Sequence, residues 1–282
     1  MIPRLCVVGL GLLGGSVAKA ARERGLAREI VAVGRRASSL EPALRAGVVD
    51  HATIDLAAGV KEADFCLLAT PVASLERQLA AVWAALPSRA LVTDVGSTKG
   101  RIVETAEGLA AERPLAFVGG HPMAGSERAG FAEARADLFE GATIILTPTE
   151  RTPADAVARV RGFWEAVGGR VTVLDPTTHD RAVAAVSHLP HLVADALVDA
   201  VLRMDPAFLD VAARGFRDTT RIAASSPEIW REIFLDNRVA LAEAVAAFRK
   251  SLDHLEGVLA AGDAAAVEAE LERIKQARES LE

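Results

Sequence analysis

The chain has 282 residues, 51% apolar and 25% charged, with 38 acidic against 32 basic residues and a net charge of −6. That balance excludes a disordered chain and supplies a sizeable core, in one large domain or two modest ones. No basic tail or stripe invites nucleic acid, and no unbroken apolar run reaches the ~18 residues of a membrane span. Two cysteines, Cys6 and Cys66, make no disulfide framework, so a reduced, cytoplasmic setting is expected.

Residues 5–8 form a short apolar run and 14–24 a helical pattern, with Gly9-Leu10-Gly11-Leu12-Leu13-Gly14 between them. These glycines would break the apolar helix of an export signal, and they suit a strand–turn–helix instead. In that context the G-x-G-x-x-G spacing reads as a dinucleotide site. Gly9 makes the tight turn, Gly11 lets the backbone approach a pyrophosphate, and Gly14 lets helix and strand pack closely. The amides of Leu12 and Leu13 open the helix whose N-terminus receives the phosphates.

The next buried run, 30–33, ends at Gly34, where a site for NAD would carry an acid for the ribose hydroxyls. Arg35 and Arg36 follow. A missing carboxylate and two guanidinium groups favour the 2′-phosphate of NADP, the alternative use of both arginines being a solvated turn. Further strands are expected at 65–69, 91–93, 115–118 and 142–147, and helices at 72–86 and 99–111. This alternation predicts a Rossmann-like, doubly wound α/β domain with a mostly parallel sheet over residues 1–150. Cys6 and Cys66 fall in its central strands as small buried hydrophobes.

From 151 to 282 the pattern is mainly helical, at 154–167, 177–204, 227–261 and 263–281, with one strand at 170–174. Leu252, Leu255, Val258 and Leu259 form one apolar stripe, which faces either the chain's own nucleotide domain or a second copy. His188 and His191 are three residues apart on one helix. No cysteine or carboxylate joins them in that run, so no metal is expected.

Four segments are not explained by folding: Asp94-Val95-Gly96-Ser97-Thr98-Lys99, the run Gly119-Gly120-His121-Pro122-Met123-Ala124-Gly125-Ser126-Glu127, Ser187-His188-Leu189-Pro190-His191, and the stretch 216–223 containing Asp218 and Arg221. The first two begin where strands end, at the sheet edge where open α/β folds bind ligands. With the glycine fingerprint, and in this order, they resemble the prephenate/arogenate (cyclohexadienyl) dehydrogenase family of tyrosine biosynthesis over nearly the whole chain.

The resemblance implies oxidative decarboxylation of prephenate or arogenate to 4-hydroxyphenylpyruvate or tyrosine, with hydride passing to NAD(P)+. It implies that His121 accepts the proton of the 4-hydroxyl, a task suited to imidazole near neutral pH, and that Ser97 orients this histidine. By the same resemblance Arg221 binds a substrate carboxylate, His179 and His191 line the substrate pocket, and Lys99 lends charge to the carboxylates. Glu127 and Asp218 match polar residues near the pocket entrance. The implied assembly is a homodimer through the helical domains. Two other readings stay open: another two-domain NAD(P)-dependent reductase, and a non-catalytic NADP-binding sensor.

Overall fold

The computed structural model of the chain describes residues 1–125 and 130–281. In chain order β1 (Ile2–Val8) leads to α1 (Leu12–Glu23), β2 (Ala27–Val33) to α2 (Ala37–Arg45), and β3 (His51–Thr53) to α3 (Leu56–Val60). After these come β4 (Phe65–Leu68) with α4 (Val72–Ala85), β5 (Leu91–Asp94) with α5 (Gly100–Glu112), β6 (Ala116–Pro122), β7 (Thr143–Thr147), α6 (Ala154–Ala166) and β8 (Arg170–Val173). One sheet joins all eight strands in the order β3-β2-β1-β4-β5-β6-β7-β8. Every neighbouring pair is parallel except β6 and β7. Strand order reverses between β1 and β4, which opens a crevice at the carboxyl ends of those strands.

Strand periodicity sorts the core into two layers. In β1, Leu5 and Val7 point into the layer holding α1 and α6, while Cys6 and Val8 point into the layer of α4 and α5. Phe65 and Leu67 of β4 alternate with Cys66 and Leu68 in the same way. Both cysteines are buried, reduced and aligned across β1 and β4.

Residues 37–60 hold more structure than the sequence pattern shows. Pro42 interrupts the helical signal of α2, and β3 and α3 have only three and five residues, too few for periodicity to register. The division expected at residue 150 falls between two paired strands: β8 runs parallel to β7 from Thr143↔Arg170 to Leu146↔Val173. α6 likewise sends Val160, Phe163 and Trp164 into the sheet's core.

The chain leaves the sheet at Asp175, whose carboxylate accepts the amides of Thr177 and Thr178 at 3.0 and 2.9 Å and caps α7 (Pro176–Val183). The helix expected over 177–204 is broken by a π-turn at Ala184–His188 before α8 (Leu189–Met204). α9 (Arg214–Thr220), α10 (Pro227–Asp236), α11 (Arg238–Ala260) and α12 (Ala264–Glu279) follow. By length and composition Pro176–Met204 is apolar enough to cross a membrane, although no unbroken apolar run marks it. It also carries His179, Asp180, His188 and His191, and all three histidines are buried against the rest of the chain.

Candidate active site

At the switch point Gly9 adopts φ +97, and a side chain there would strike the carbonyl of Ala69 on the next strand. A Cβ on Gly14 would meet the Gly9 carbonyl and, at 2.9 Å, the Ala69 methyl, so the third glycine is what lets α1 lie against β1 and β4. Over Gly11 the space is open. No side chain caps α1 and no acid sits in its first turn, which leaves the amide end of the helix, from Leu12 and Leu13 on, for an anion. These residues fit a dinucleotide. Beyond β2, Arg35 and Arg36 are exposed at the same sheet edge, and neither makes an ion pair among the described residues. Gly34 has a packing reason of its own: a Cβ there would stand 2.8 Å from Cδ2 of the buried Leu40.

His121 lies near the end of β6 and is buried. Its Nδ1 is 2.8 Å from Nε2 of His179 on α7, and His179 Nδ1 is 2.8 Å from Oδ1 of Asp180. The network assigns the protons. A carboxylate only accepts, so His179 donates from Nδ1 and accepts at Nε2. His121 then donates from Nδ1 and keeps its lone pair on Nε2, which has no bonding partner among the described residues. Asp180 also accepts the amides of Lys99 at 2.8 Å and Gly100 at 2.8 Å, joining α7 to the loop after β5.

Lys99 does not point to open space. Its side chain is fully buried, its ammonium donates to Asp94 Oδ2, and it donates to the Gly120 carbonyl at 3.0 Å. The expectation that Lys99 meets substrate carboxylates is therefore corrected: the loop after β5 turns the side chain inward, where a buried aspartate holds it. Ser97, in the same loop, is half-buried and makes no hydrogen bond to His121; the imidazole is oriented by His179 instead.

His191, on α8, stacks on Trp230 of α10 with ring centroids 3.5 Å apart and planes 17° from parallel, and Phe234 lies beside both. Its Nδ1 is buried with no partner among the described residues. His188 pairs with the Asn237 side-chain amide at 3.2 Å, and that amide also donates to the Asp180 carbonyl at 2.7 Å. Arg221 is exposed after α9, with no ion pair among the described residues. Asp218 accepts from Arg214 at 3.2 Å on the surface of α9. Glu127 lies outside the described residues. No group of three His, Cys, Asp or Glu among the described residues is placed to hold a metal. Asp180 and Asn237 are polar residues of this site that no motif flags, and Asp94 opens a flagged segment that gives it no role; an aspartate directly after His179 is the one signal the sequence offers for Asp180.

Burial holds the His121 imidazole well below its ordinary pKa, and the neighbouring His179, Lys99 and His188 push the same way. His188 is lowered to about 4, again mainly by burial. For Asp180 burial acts upward, but the bonds from His179 and from the Lys99 and Gly100 amides outweigh it and keep the carboxylate ionised below its ordinary range. The centre is thus a His121 imidazole held in its neutral form and joined through His179 to an ionised carboxylate.

A glycine crevice at the switch point of a doubly wound sheet, together with a buried histidine line that joins β6 of that sheet to a helical unit, defines a nicotinamide-nucleotide-dependent oxidoreductase. Residues 17–173 match the family model described as the prephenate dehydrogenase nucleotide-binding domain, and 175–273 the one described as its dimerization domain. The chain belongs to the prephenate dehydrogenase family. It is 38% identical, over 83% of its length, to prephenate dehydrogenase of Bacillus subtilis (strain 168), and spans 64% of that relative. It is 32% identical over 92% of its length to cyclohexadienyl dehydrogenase of Zymomonas mobilis and covers 89% of it. Its fold superposes with a TM-score of 0.93 on Aquifex aeolicus prephenate dehydrogenase in complex with hydroxyphenyl propionate and NAD+, at 35% identity, covering 100% of this chain and 99% of the other.

Proposed function

We propose that this chain oxidatively decarboxylates prephenate or arogenate, with His121 Nε2 as the base that takes the proton of the ring 4-hydroxyl. A bound nicotinamide dinucleotide supplies the hydride acceptor. As the O–H proton moves to His121, the C4 hydrogen leaves as hydride, the bond to the ring carboxylate breaks, and its electron pair completes the aromatic ring as carbon dioxide departs. The observation that carries this reading is the line His121–His179–Asp180: with one proton on each imidazole it leaves Nε2 of His121 without a partner among the described residues and puts an anion behind it to share the growing imidazolium charge. The low pKa of His121 keeps it unprotonated at neutral pH and ready to accept.

Arg221, exposed and without an ion-pair partner among the described residues, anchors a substrate carboxylate through its planar fork. His179 and His191 line the ring pocket, His191 with its unpartnered Nδ1, and Ser97 sits beside the nicotinamide. NADP is the favoured cofactor, because Gly34 brings no carboxylate and Arg35 and Arg36 stand free at the end of β2. The functional units are residues 1–173 and 175–281, working as a cytoplasmic homodimer. The apolar stripe on α11 supports the dimer: Leu252 is 52% and Leu259 65% exposed in the single chain, so the stripe does not face the chain's own nucleotide unit.

A kcat/KM matrix of prephenate and arogenate against NAD+ and NADP+ tests the reading. Turnover of at least one substrate is expected, with the NADP+ column higher. Nucleotide binding with no turnover of either substrate would make the chain a sensor.

A further inference from the structure

A pair of opposite charges in the core stands out, because burying ions is costly unless the geometry returns something. Asp94 and Lys99 are both 0% exposed. Their remaining bonds converge on two backbone segments. Asp94 Oδ1 accepts the Gly120 amide at 3.0 Å and Oδ2 the Gly96 amide at 2.8 Å, while Lys99 donates to the Gly120 carbonyl at 3.0 Å. Both polar groups of Gly120, the residue before His121, are thus held by one ion pair, and the same pair holds the turn that carries Ser97. Three glycines are packed around it. A Cβ on Gly96 would stand 2.9 Å from Asp94 Oδ2, one on Gly119 3.3 Å from Lys99 Cδ, and one on Gly120 2.7 Å from the Asp94 carbonyl.

We infer that Asp94 and Lys99 are positioning residues for the reaction: the buried pair clamps the Gly120 peptide groups, aims the His121 imidazole at the substrate, and sets the local charge under which that imidazole works. Several groups face His121: His179 and Asp180 from α7, His188 from the π-turn, and Lys99 from the loop after β5. Of these, Lys99 is the cation: burial lowers its pKa, and the bond and charge of Asp94 oppose that loss. The Lys99 charge adds to the burial that depresses the imidazole pKa.

The inference rests on His121 being the base, so the experiment carries His121→Asn as a control. The variants Lys99→Met and Asp94→Asn/Lys99→Met are compared with wild type for kcat, KM, the pH profile of kcat/KM, and Tm. With Lys99→Met, kcat is expected to fall roughly tenfold to a hundredfold, the scale of a sub-ångström to 1 Å misplacement. The nucleotide KM should hold within about twofold, because the phosphate crevice is untouched. The acid limb of kcat/KM should move to higher pH, since a cation beside the imidazole is gone. Removing both charges should recover most of the Tm lost in the single variant, because no unpaired charge stays buried, yet kcat should not recover. Near-wild-type kcat in Lys99→Met, an unmoved acid limb, or joint recovery of Tm and kcat in the double variant would overturn the positioning role. Full activity in His121→Asn would instead overturn the base assignment beneath it.

Discussion

The sheet unit and the helical unit differ in how they are held. Over the inner strands, β1, β2 and β4 to β7, both faces of the sheet are covered, and long stretches of Leu, Val, Ile and Phe are fully buried in two continuous layers. Beyond Asp175 the buried apolar side chains are few: Val183, Ala184, Ala194, Ile233 and Leu241. The most apolar window of Pro176–Met204 is buried over only 17% of its residues. One unit brings its own core; the other leaves most of its apolar side chains outside one, and it matches a family model described as a dimerization domain. The reaction centre spans this contrast, with His121 on the self-sufficient side and His179–Asp180 on the dependent one. The two units meet there at the 2.8 Å contact between two imidazoles.

The harshest way to break the contrast is to charge the exposed stripe. Leu252→Glu/Leu259→Glu removes two buried leucines per protomer from the proposed interface, each worth about 1.5–3 kcal/mol. Light scattering should then give the single-chain mass, and activity should fall with dissociation while nucleotide binding persists. A dimer of unchanged strength would show that the stripe serves another purpose.

The next largest effect is expected on the rigid side. His121→Asn should lower kcat by ~10²-fold or more with nucleotide affinity intact; near-normal turnover would remove the base assignment.

On the dependent side, Asp180→Asn should cost kcat about tenfold. The sign of its pH effect follows from charge. The carboxylate stabilises the protonated imidazole line, so neutralising it lowers the pKa of His121 further, and the acid limb of kcat/KM moves to lower pH. Activity is present above the folded pKa of His121 and lost as pH falls through it. Lys99→Met moves the same limb in the opposite direction, which makes the two variants a matched test.

The smallest effect concerns the cofactor. Arg35→Ala/Arg36→Ala should reduce the NADP-to-NAD ratio of kcat/KM about tenfold or more, the range of one lost charge-assisted phosphate contact. An unchanged ratio would leave both arginines as a solvated turn.

The same contrast explains what was legible in the sequence. Buried parallel strands read as unbroken apolar runs, so β1, β2, β4, β5 and β7 were visible within a few residues, and the glycine turn identified itself by lying between strand and helix. β3 was too short to show. The strand at 170–174 is visible in the pattern, but its pairing with β7 is a non-local fact that no local pattern carries. Motifs locate His121 and Lys99, and the family resemblance locates His179, but neither says what they touch. Side-chain direction after β5 depends on Asp94 being in place, and without that partner Lys99 reads as a free cation. Asp180 went unremarked because nothing distinguishes it from a surface acid until α7 is docked on the Lys99 and Gly100 amides.

The contact between Gly34 and Leu40 bears on how this enzyme's descendants, or its engineers, change coenzyme. An acid at the end of β2 is the usual route to NAD, yet here any side chain at 34 meets a leucine that anchors α2 in the core. What stands in the way is the flexible end of that leucine, so an acid at 34 asks for a repacking of Leu40. A smaller residue at position 40 would make that room in advance, so volume at 40 and charge at 34 form one linked pair of positions at the end of β2.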